Sequence, residues 1–286
     1  MIRRDELTTA VWSGFRQSRI ELRVTLTTVS DLMNYLVPTV LFLGAMIFMR
    51  GHKVPGTTFS LGSVSLPSVL GTGIALTGVL TLGLKLAEER MDGTLLRAKA
   101  VPHGMLGYLV GKITMVSAAS MIGFVLTLVP GLFLLPGVAM NTPAAWLTLL
   151  WVVALGLLAS LPIGAVIGSI FSEPSWTGII TLPMGGLIAI SGTFYPITHF
   201  PVWLQDIAQV FPLYWTGLGM RSAMLPDHLA AVEIGGSWRH LATLGVLGAW
   251  AILGLALAPS VLRRMARKES GSNMELRRAK AIARAH

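Results

Sequence analysis

The sequence predicts an all-α membrane protein with several spans, and three observations lead to that prediction. Hydrophobic residues make up 53% of the chain and charged residues only 12%, whereas a soluble domain is about one quarter charged. The mean hydropathy is +0.69. Most telling, Asp, Glu, Lys and Arg are absent from residues 32–49, 54–84, 113–172, 174–205 and 240–262. Since a helix needs about 20 apolar residues to cross a bilayer, the longest stretch accommodates two helices and each of the others one.

Residues 1–31 precede the first span and are predicted to form a helix lying on the membrane surface. Arg16, Arg19 and Arg23 recur at helical spacing, and Trp12 and Phe15 are aromatic residues suited to an interface. A basic amphipathic helix of this kind binds an anionic leaflet. A soluble N-terminal arm is the alternative interpretation.

Six spans are predicted, and the positive charges between them set their orientation. The spans cover roughly residues 32–49, 67–87, 110–135, 145–171, 175–195 and 240–262. With alternating sides, 18 of the 22 Lys and Arg residues fall on one face and 4 on the other. The positive-inside rule makes the richer face cytoplasmic, so both termini are predicted to lie inside the cell membrane.

The chain is predicted to be one domain, residues 1–286. Residues 1–31 form the cytoplasmic arm, 32–262 the membrane region and 263–286 a basic cytoplasmic tail. The formal net charge of +9 is explained by the basic cytoplasmic face, where Lys and Arg attract acidic lipids, so no nucleic-acid partner is predicted.

The second and third spans are joined by a segment of 17 residues, 88–104, which we call the elbow. A simple turn between two spans needs only a few residues. Gly93 is expected to release the chain from helical geometry, Thr94 to cap a short helix through its hydroxyl, and Pro102 to end that helix. These residues predict a compact segment on the cytoplasmic face that can dock onto a partner protein.

A second distinctive segment, residues 191–215, follows the fifth span, and we call it the outer segment. Pro196, Pro201 and Pro212 exclude one continuous helix. The pieces between them are apolar and aromatic but too short to span a bilayer, and Tyr195, Trp203, Tyr214 and Trp215 suit interfacial depth. A re-entrant hairpin between spans five and six is therefore predicted. An aromatic belt without a gating role is the alternative.

Together the two segments resemble those of permease subunits of type-2 ABC exporters, and the drug-resistance branch is suspected. The pattern Glu-Arg-x-x-Gly-Thr-Leu…Pro…Gly-Lys at 89–112 resembles the coupling helix of that family. The pattern Ser-Gly-x-Phe-Tyr-Pro…Pro-x-Trp-Leu…Pro-Leu at 191–213 resembles its re-entrant extracellular hairpin. Met91, Ala98 and Lys99 depart from the residues common at those positions, which puts in doubt the side chains that enter the ATPase.

The resemblance implies a role for particular residues in both segments. The residues expected to couple the chain to its ATPase are Glu88, Glu89, Arg90, Gly93, Thr94, Leu95, Arg97 and Pro102. The residues expected in the extracellular hairpin or gate are Gly192, Phe194, Tyr195, Pro196, Pro201, Trp203, Leu204 and Pro212. Partners implied are two ABC ATPase subunits and a second permease, either a copy of this chain or a paralogue.

Spans one, two and five are expected to line a transport pathway in such a complex. The candidate pathway residues are Asn34, Thr39, Thr77, Thr81, Met184 and Ser191, with Thr193 beside them. Hydroxyls and methionines also serve helix packing, so packing is the alternative role for each. An apolar path predicts an amphipathic or lipid-like cargo, in the order drug, antibiotic or lipid, while a lipid-linked glycan is an alternative within the family.

Other functions are less well supported by the residues. The sequence contains no G-x-x-x-x-G-K-[ST] motif, so this chain is expected to use no cofactor of its own, with ATP and Mg bound by its partner. The spans contain no central Asp or Glu and the histidines lie in loops or at span ends, which argues against an intramembrane enzyme and against metal or catalytic residues. An ATP-independent secondary transporter or channel is the remaining alternative, although Lys85 and Lys112 are both expected to reach the cytoplasmic face.

Overall fold

The structure, a computed structural model, describes residues 4–54, 57–101, 104–138, 140–170 and 177–268. These residues form helices and turns with one isolated β-bridge, between Lys53 and Ser60, and they include no strand. The α-helices in chain order are α1 Arg4–Thr27, α2 Val29–Phe48, α3 Leu61–Leu76, α4 Leu82–Met91, α5 Thr94–Ala100, α6 Gly104–Leu134, α7 Pro143–Ile170, α8 Thr177–Ile190, α9 Val202–Val210, α10 Pro212–Met224 and α11 His240–Lys268.

Five helical segments among these residues are long and apolar enough to cross a membrane. They cover Val29–Gly51, Leu61–Arg90, Gly107–Leu134, Pro143–Ile170 and His240–Leu257. They coincide with five of the six predicted spans and make the chain a multi-pass, all-α membrane protein.

The predicted fifth span, 175–195, corresponds to the shorter α8. Its 14 residues rise about 21 Å at 1.5 Å per residue, less than the hydrocarbon core of roughly 30 Å. The sixth crossing therefore stays a prediction. The chain also turns at 191–196 directly after α8, so its end at Ile190 falls before the predicted boundary.

Two spans begin earlier than the sequence predicts. The second span begins at Leu61 rather than 67, because the Ser60 hydroxyl accepts a hydrogen bond from the Ser63 amide at 3.1 Å and caps the helix there. The third span begins at Gly107 rather than 110, inside helix α6, which itself starts at Gly104.

The second span is one continuous rod with a π-helical segment at its centre. Residues Thr77–Thr81 join α3 to α4 with wider hydrogen bonding than an α-helix. Such π segments are rare and are found mostly at functional sites. Around the rod, one buried cluster joins α2, α3, α6, α7 and α10 on the predicted outer half, and another joins α4, α5, α6 and α7 on the predicted cytoplasmic half.

Close helix contacts in the core are made through glycine. A Cβ added at Gly71 of α3 would lie 2.5 Å from the Thr216 carbonyl oxygen of α10, and one at Gly164 of α7 would lie 2.5 Å from the Gly78 carbonyl. Small residues let helix backbones approach in this way.

The helix predicted for the N-terminal arm is present as α1. Its small residues Gly14, Ser18 and Thr25 are buried, and α1 packs extensively on α6. Trp12 and Phe15 are exposed, as are the three arginines predicted to face lipid. This arrangement fits an interfacial helix anchored on the bundle, and its membrane placement stays a prediction. Residues 269–286 of the basic tail lie outside the described residues.

Candidate functional site

The turn of the elbow at Gly93 agrees with the sequence prediction, but the predicted helix cap at Thr94 does not. Helix α4 ends at Met91, Gly93 adopts φ 75° and ψ 9°, and α5 begins at Thr94. A positive φ is disfavoured for any residue with a Cβ, so Gly93 is needed for the reversal. Thr94 does not cap α5, because it already lies inside the helix and its hydroxyl accepts a hydrogen bond from Arg97 at 3.0 Å. Pro102 lies outside the described residues.

The predicted coupling residues separate into an inner and an outer set. Leu95 is 1% exposed in the apolar cluster beneath α5. Arg90 is also buried, and its guanidinium donates to the Ser169 carbonyl at 3.1 Å and to the Gly168 carbonyl at 3.4 Å, near the end of α7. Cationic groups stabilise a helix C-terminus in this position. Glu88 and Arg97 are exposed and can face a partner.

A buried charge cluster fastens the elbow to α1 and α6. The Lys112 ammonium is 2% exposed and contacts Glu21 of α1 at 2.7 Å and also Glu89 of α4. The Tyr108 hydroxyl donates to Glu89 at 2.5 Å. The prediction that Lys112 reaches the cytoplasmic face is therefore wrong, because two carboxylates neutralise it inside the bundle. Lys85, by contrast, is half exposed and pairs with Glu88 at 3.2 Å.

A cavity of about 480 Å³ lies beside the second span, between α2, α3, α4 and α6. The predicted pathway residues Asn34, Thr39, Thr77 and Thr81 all line the cavity. Residues of α4 and α6 complete its wall. Ligand pockets usually measure about 300–1,000 Å³, so the cavity has the size of a drug-like molecule. Its polar lining includes a buried contact of 3.4 Å between the hydroxyls of Thr39 and Thr127.

The remaining pathway candidates lie elsewhere. Met184 is half-buried on α8 and is not among the residues that line the cavity. Ser191 is buried and donates to the Leu187 carbonyl, and the Thr193 hydroxyl lies 3.1 Å from that of Thr72. The hydroxyls of these two residues are thus satisfied in helix packing.

The outer segment closes the predicted extracellular side of the bundle. Gly192 turns the chain with φ 71°, and Phe194 stacks on Phe42 with ring centroids 6.1 Å apart. Because Phe42 also lines the cavity, this stack stands at its outer end. Tyr195 is 40% exposed, with its ring edge against His199.

The prolines divide the outer segment into short elements. Pro196 precedes a 3₁₀ turn, Pro201 precedes α9, and Pro212 is the first residue of α10. On α9, Trp203 is exposed and Leu204 is half-buried, as expected of an amphipathic helix at an interface.

Helix α10 differs from the prediction because it is buried along nearly its whole length. Tyr214 is 0% and Trp215 2% exposed, so these aromatic residues pack inside the protein rather than at an interfacial belt. Helices α3 and α7 cover α10 closely, which explains the burial. Burial and the charge of Glu233 raise the pKa of Tyr214 to about 12, although Arg221 and Arg239 oppose the shift, so its phenol is neutral at physiological pH.

A buried ion pair lies on the predicted outer side, and the sequence analysis does not predict it. Arg221 of α10 and Glu233 are 2% and 4% exposed, with Nε and Oε1 2.7 Å apart. Arg221 also donates to the Ser68 hydroxyl at 2.7 Å and to the Gly192 carbonyl at 3.3 Å. The pair thereby joins α3, the outer turn and α10. The sequence offers little signal for this pairing, because Asp227 lies closer to Arg221 along the chain than Glu233 does.

The described residues offer no metal site, since no three His, Cys, Asp or Glu side chains among them come together in a suitable arrangement. In a comparison with protein families, the model of the family described as ABC-2 family transporter protein matches residues 52–258. That range contains the second, third and fourth spans, the elbow, the outer segment and most of α11. The search of curated proteins found no match.

Proposed function

Since the chain belongs to the ABC-2 transporter family and is a permease subunit of an ABC transporter, we propose that it exports an amphipathic or lipid-like cargo such as a drug, an antibiotic or a lipid. A separate ABC ATPase supplies the energy and binds the ATP and Mg. Two ATPase subunits and two permeases make up the complex. The chain resides in the cell membrane with both termini in the cytoplasm.

One observation carries the proposal: a single helix joins the cavity to the elbow. Thr77, Thr81 and Glu88 all line the cavity, and Glu88 is also the first residue of the elbow. Helix α4 has 10 residues and therefore spans about 15 Å. Because the rod is continuous, a displacement of the elbow by an ATPase moves the wall of the cavity.

The inner set of elbow residues makes this transmission rigid. Glu89, Arg90 and Leu95 fix the elbow to α6, α7 and the apolar cluster beneath it. The outer set, Glu88 and Arg97, is left exposed to a partner. The elbow therefore moves as one unit with the rod, while its outer surface contacts the ATPase.

Export should be tested by reconstituting the chain in liposomes with and without its ATPase and following a fluorescent amphiphile. ATP-dependent loss of the dye from the ATPase side supports export. Movement that is the same without ATPase or ATP favours a secondary transporter or channel and contradicts the proposal.

Docking should be tested with Arg97→Glu, because Arg97 is exposed and its hydrogen-bond acceptor, Thr94, belongs to the same short helix. We expect ATPase binding and stimulated export to fall while the protein still inserts. Arg50→Glu is the matched control, a charge reversal at an exposed residue on the predicted outer face. Glu89→Lys is a poorer test, since it would also place two ammonium groups in the buried cluster around Lys112. Equal export by the Arg97 and Arg50 variants contradicts the docking assignment.

A further inference from the structure

We infer that the cavity between α2, α3, α4 and α6 binds amphipathic monocations, and that Asp31 sets this charge preference. The inference rests on the proposed function, which it deepens by naming the charge class of the cargo. It is carried by the charges, the aromatic rings and the shape of the cavity.

Charge is the first argument. Three ionisable carboxylate or ammonium side chains line the cavity: Asp31, Lys85 and Glu88. Lys85 and Glu88 neutralise each other across 3.2 Å, whereas Asp31 has no ion-pair partner among the described residues. The lining therefore carries a net charge of about −1, on the side of the protein where Lys and Arg predominate. An ionisable group that lines a cavity between membrane helices is a candidate for a substrate or ion path.

The position of Asp31 keeps its carboxylate available to a ligand. It lies in the first turn of α2, where the helix dipole favours a negative charge. Asp31 is only partly exposed, and Tyr35, one turn further along the helix, lines the same cavity. A cation that reaches this turn meets a carboxylate and an aromatic ring together.

Aromatic rings form the second argument. Tyr35, Phe42 and Phe124 all line the cavity, and aromatic faces attract organic cations most strongly where water is reduced. Beyond them the wall is apolar, with Val69, Leu70 and Ile74 on α3, and can hold a hydrophobic body. Hydroxyl groups such as those of Thr77 and Thr81 supply polar contacts without charge.

The shape forms the third argument. The cavity runs from Asp31 and Glu88, at the predicted cytoplasmic ends of α2 and α4, to Phe42 near the outer segment. The stack of Phe42 on Phe194 stands at the far end. The charged end thus faces the predicted cytoplasmic side, from which the proposed cargo is taken, and the apolar end lies about 16 Å further along α2, at Phe42. An amphiphile with one cationic group matches this polarity from end to end.

The test compares two hydrophobic ions of the same shape and opposite charge, tetraphenylphosphonium and tetraphenylborate. The natural chain contains no cysteine, so a single introduced thiol reports on one position. Thr81→Cys places the thiol in the cavity, and its reaction with neutral N-ethylmaleimide is timed in nanodiscs without ATPase. Thr27→Cys, an exposed position of α1 that does not line the cavity, is the control for ions that merely partition into the lipid.

Tetraphenylphosphonium should slow labelling at Thr81→Cys but not at Thr27→Cys, and tetraphenylborate should protect about tenfold less, as one nearby charge predicts. Adding Asp31→Asn should abolish the difference between the ions, while adding Asp206→Asn, the same change on exposed α9, should preserve it. Asp31→Lys should reverse the preference in favour of the anion, a gain that misfolding cannot produce.

Equal protection by both ions, or protection by neither, overturns the inference, as does a preference that survives Asp31→Asn. Because the assay needs neither ATP nor ATPase, its outcome is separate from that of the export experiment. Selective binding without ATP-driven export contradicts the proposed function alone. Export without selective binding contradicts the cavity assignment alone.

Discussion

Replacing Lys112 by methionine should destabilise the protein because it leaves two carboxylates without their cation. Lys112 is 2% exposed, whereas Glu21 and Glu89 are 28% and 15% exposed. Methionine preserves the apolar stem and its packing, so the change isolates the charge. The Tyr108 hydroxyl still donates a hydrogen bond to Glu89, but this bond does not neutralise the charge of the carboxylate.

The expected magnitude follows from burial. Removing one partner of a fully buried ion pair costs about 3–5 kcal/mol, and partial hydration of the two glutamates places this variant near the lower limit, at about 3 kcal/mol. Lys85→Met is the matched control, since Lys85 and Glu88 are 40% and 49% exposed. An exposed pair contributes only about 0–1 kcal/mol.

The double variant Lys112→Met with Glu89→Gln separates lost charge from lost packing. Glutamine still accepts the Tyr108 hydrogen bond and carries no charge, so the part of the lost stability that comes from Glu89 should return, while Glu21 still lacks its cation. The free energy of unfolding can be measured by SDS titration of the purified chain, followed by tryptophan fluorescence. Equal losses in Lys112→Met and Lys85→Met, or no recovery in the double variant, would refute the argument.

Three further predictions concern the elbow, the outer ion pair and the core. Gly93→Pro should leave membrane insertion intact but uncouple export from ATP hydrolysis, because proline is confined to φ near −65° and Gly93 has φ 75°. The measurement is the amount of cargo moved per ATP hydrolysed, and an unchanged ratio contradicts the prediction. Arg221→Met should cost about 3–5 kcal/mol in SDS unfolding, with most of it recovered when Glu233→Met is added; a double variant no more stable than the single would argue against a buried pair. Gly71→Ala should cost about 1–3 kcal/mol of stability by overpacking against the backbone of α10. Gly73→Ala should not destabilise the protein, because nothing lies within 4 Å of the added Cβ. Similar losses of stability in both variants would contradict the close approach of α3 and α10.

The elbow shows both the reach and the limit of sequence reasoning. Its turn could be predicted, because the need for glycine at a chain reversal is a property of the local backbone. The inward direction of Glu89 and Arg90 could not be predicted, because their partners lie 23 and 79 positions away in the chain, at Lys112 and Ser169. Adjacent polar residues on one short helix gave no indication of which ones would be buried.

The cavity shows a similar division. Four of its lining residues are predicted pathway residues, because a polar position within an apolar span is visible in the sequence. Asp31 was not selected, since it stands at the edge of a span, where acidic residues are common at helix starts. Met184 and Ser191 are also predicted to line the pathway, but neither these residues nor any residue of α8 lines this cavity.

The sequence by itself determined that the chain is an α-helical membrane protein and where its five long apolar helical segments lie. Hydropathy and turn chemistry act over neighbouring residues, so they can be read along the chain. The tertiary structure alone decided that Lys112 binds Glu21, that Arg221 joins Ser68 across 153 positions, and that residues of α2, α3, α4 and α6 line a common cavity. These features depend on how the helices pack face to face, and close packing is set by the shapes of many distant side chains at once.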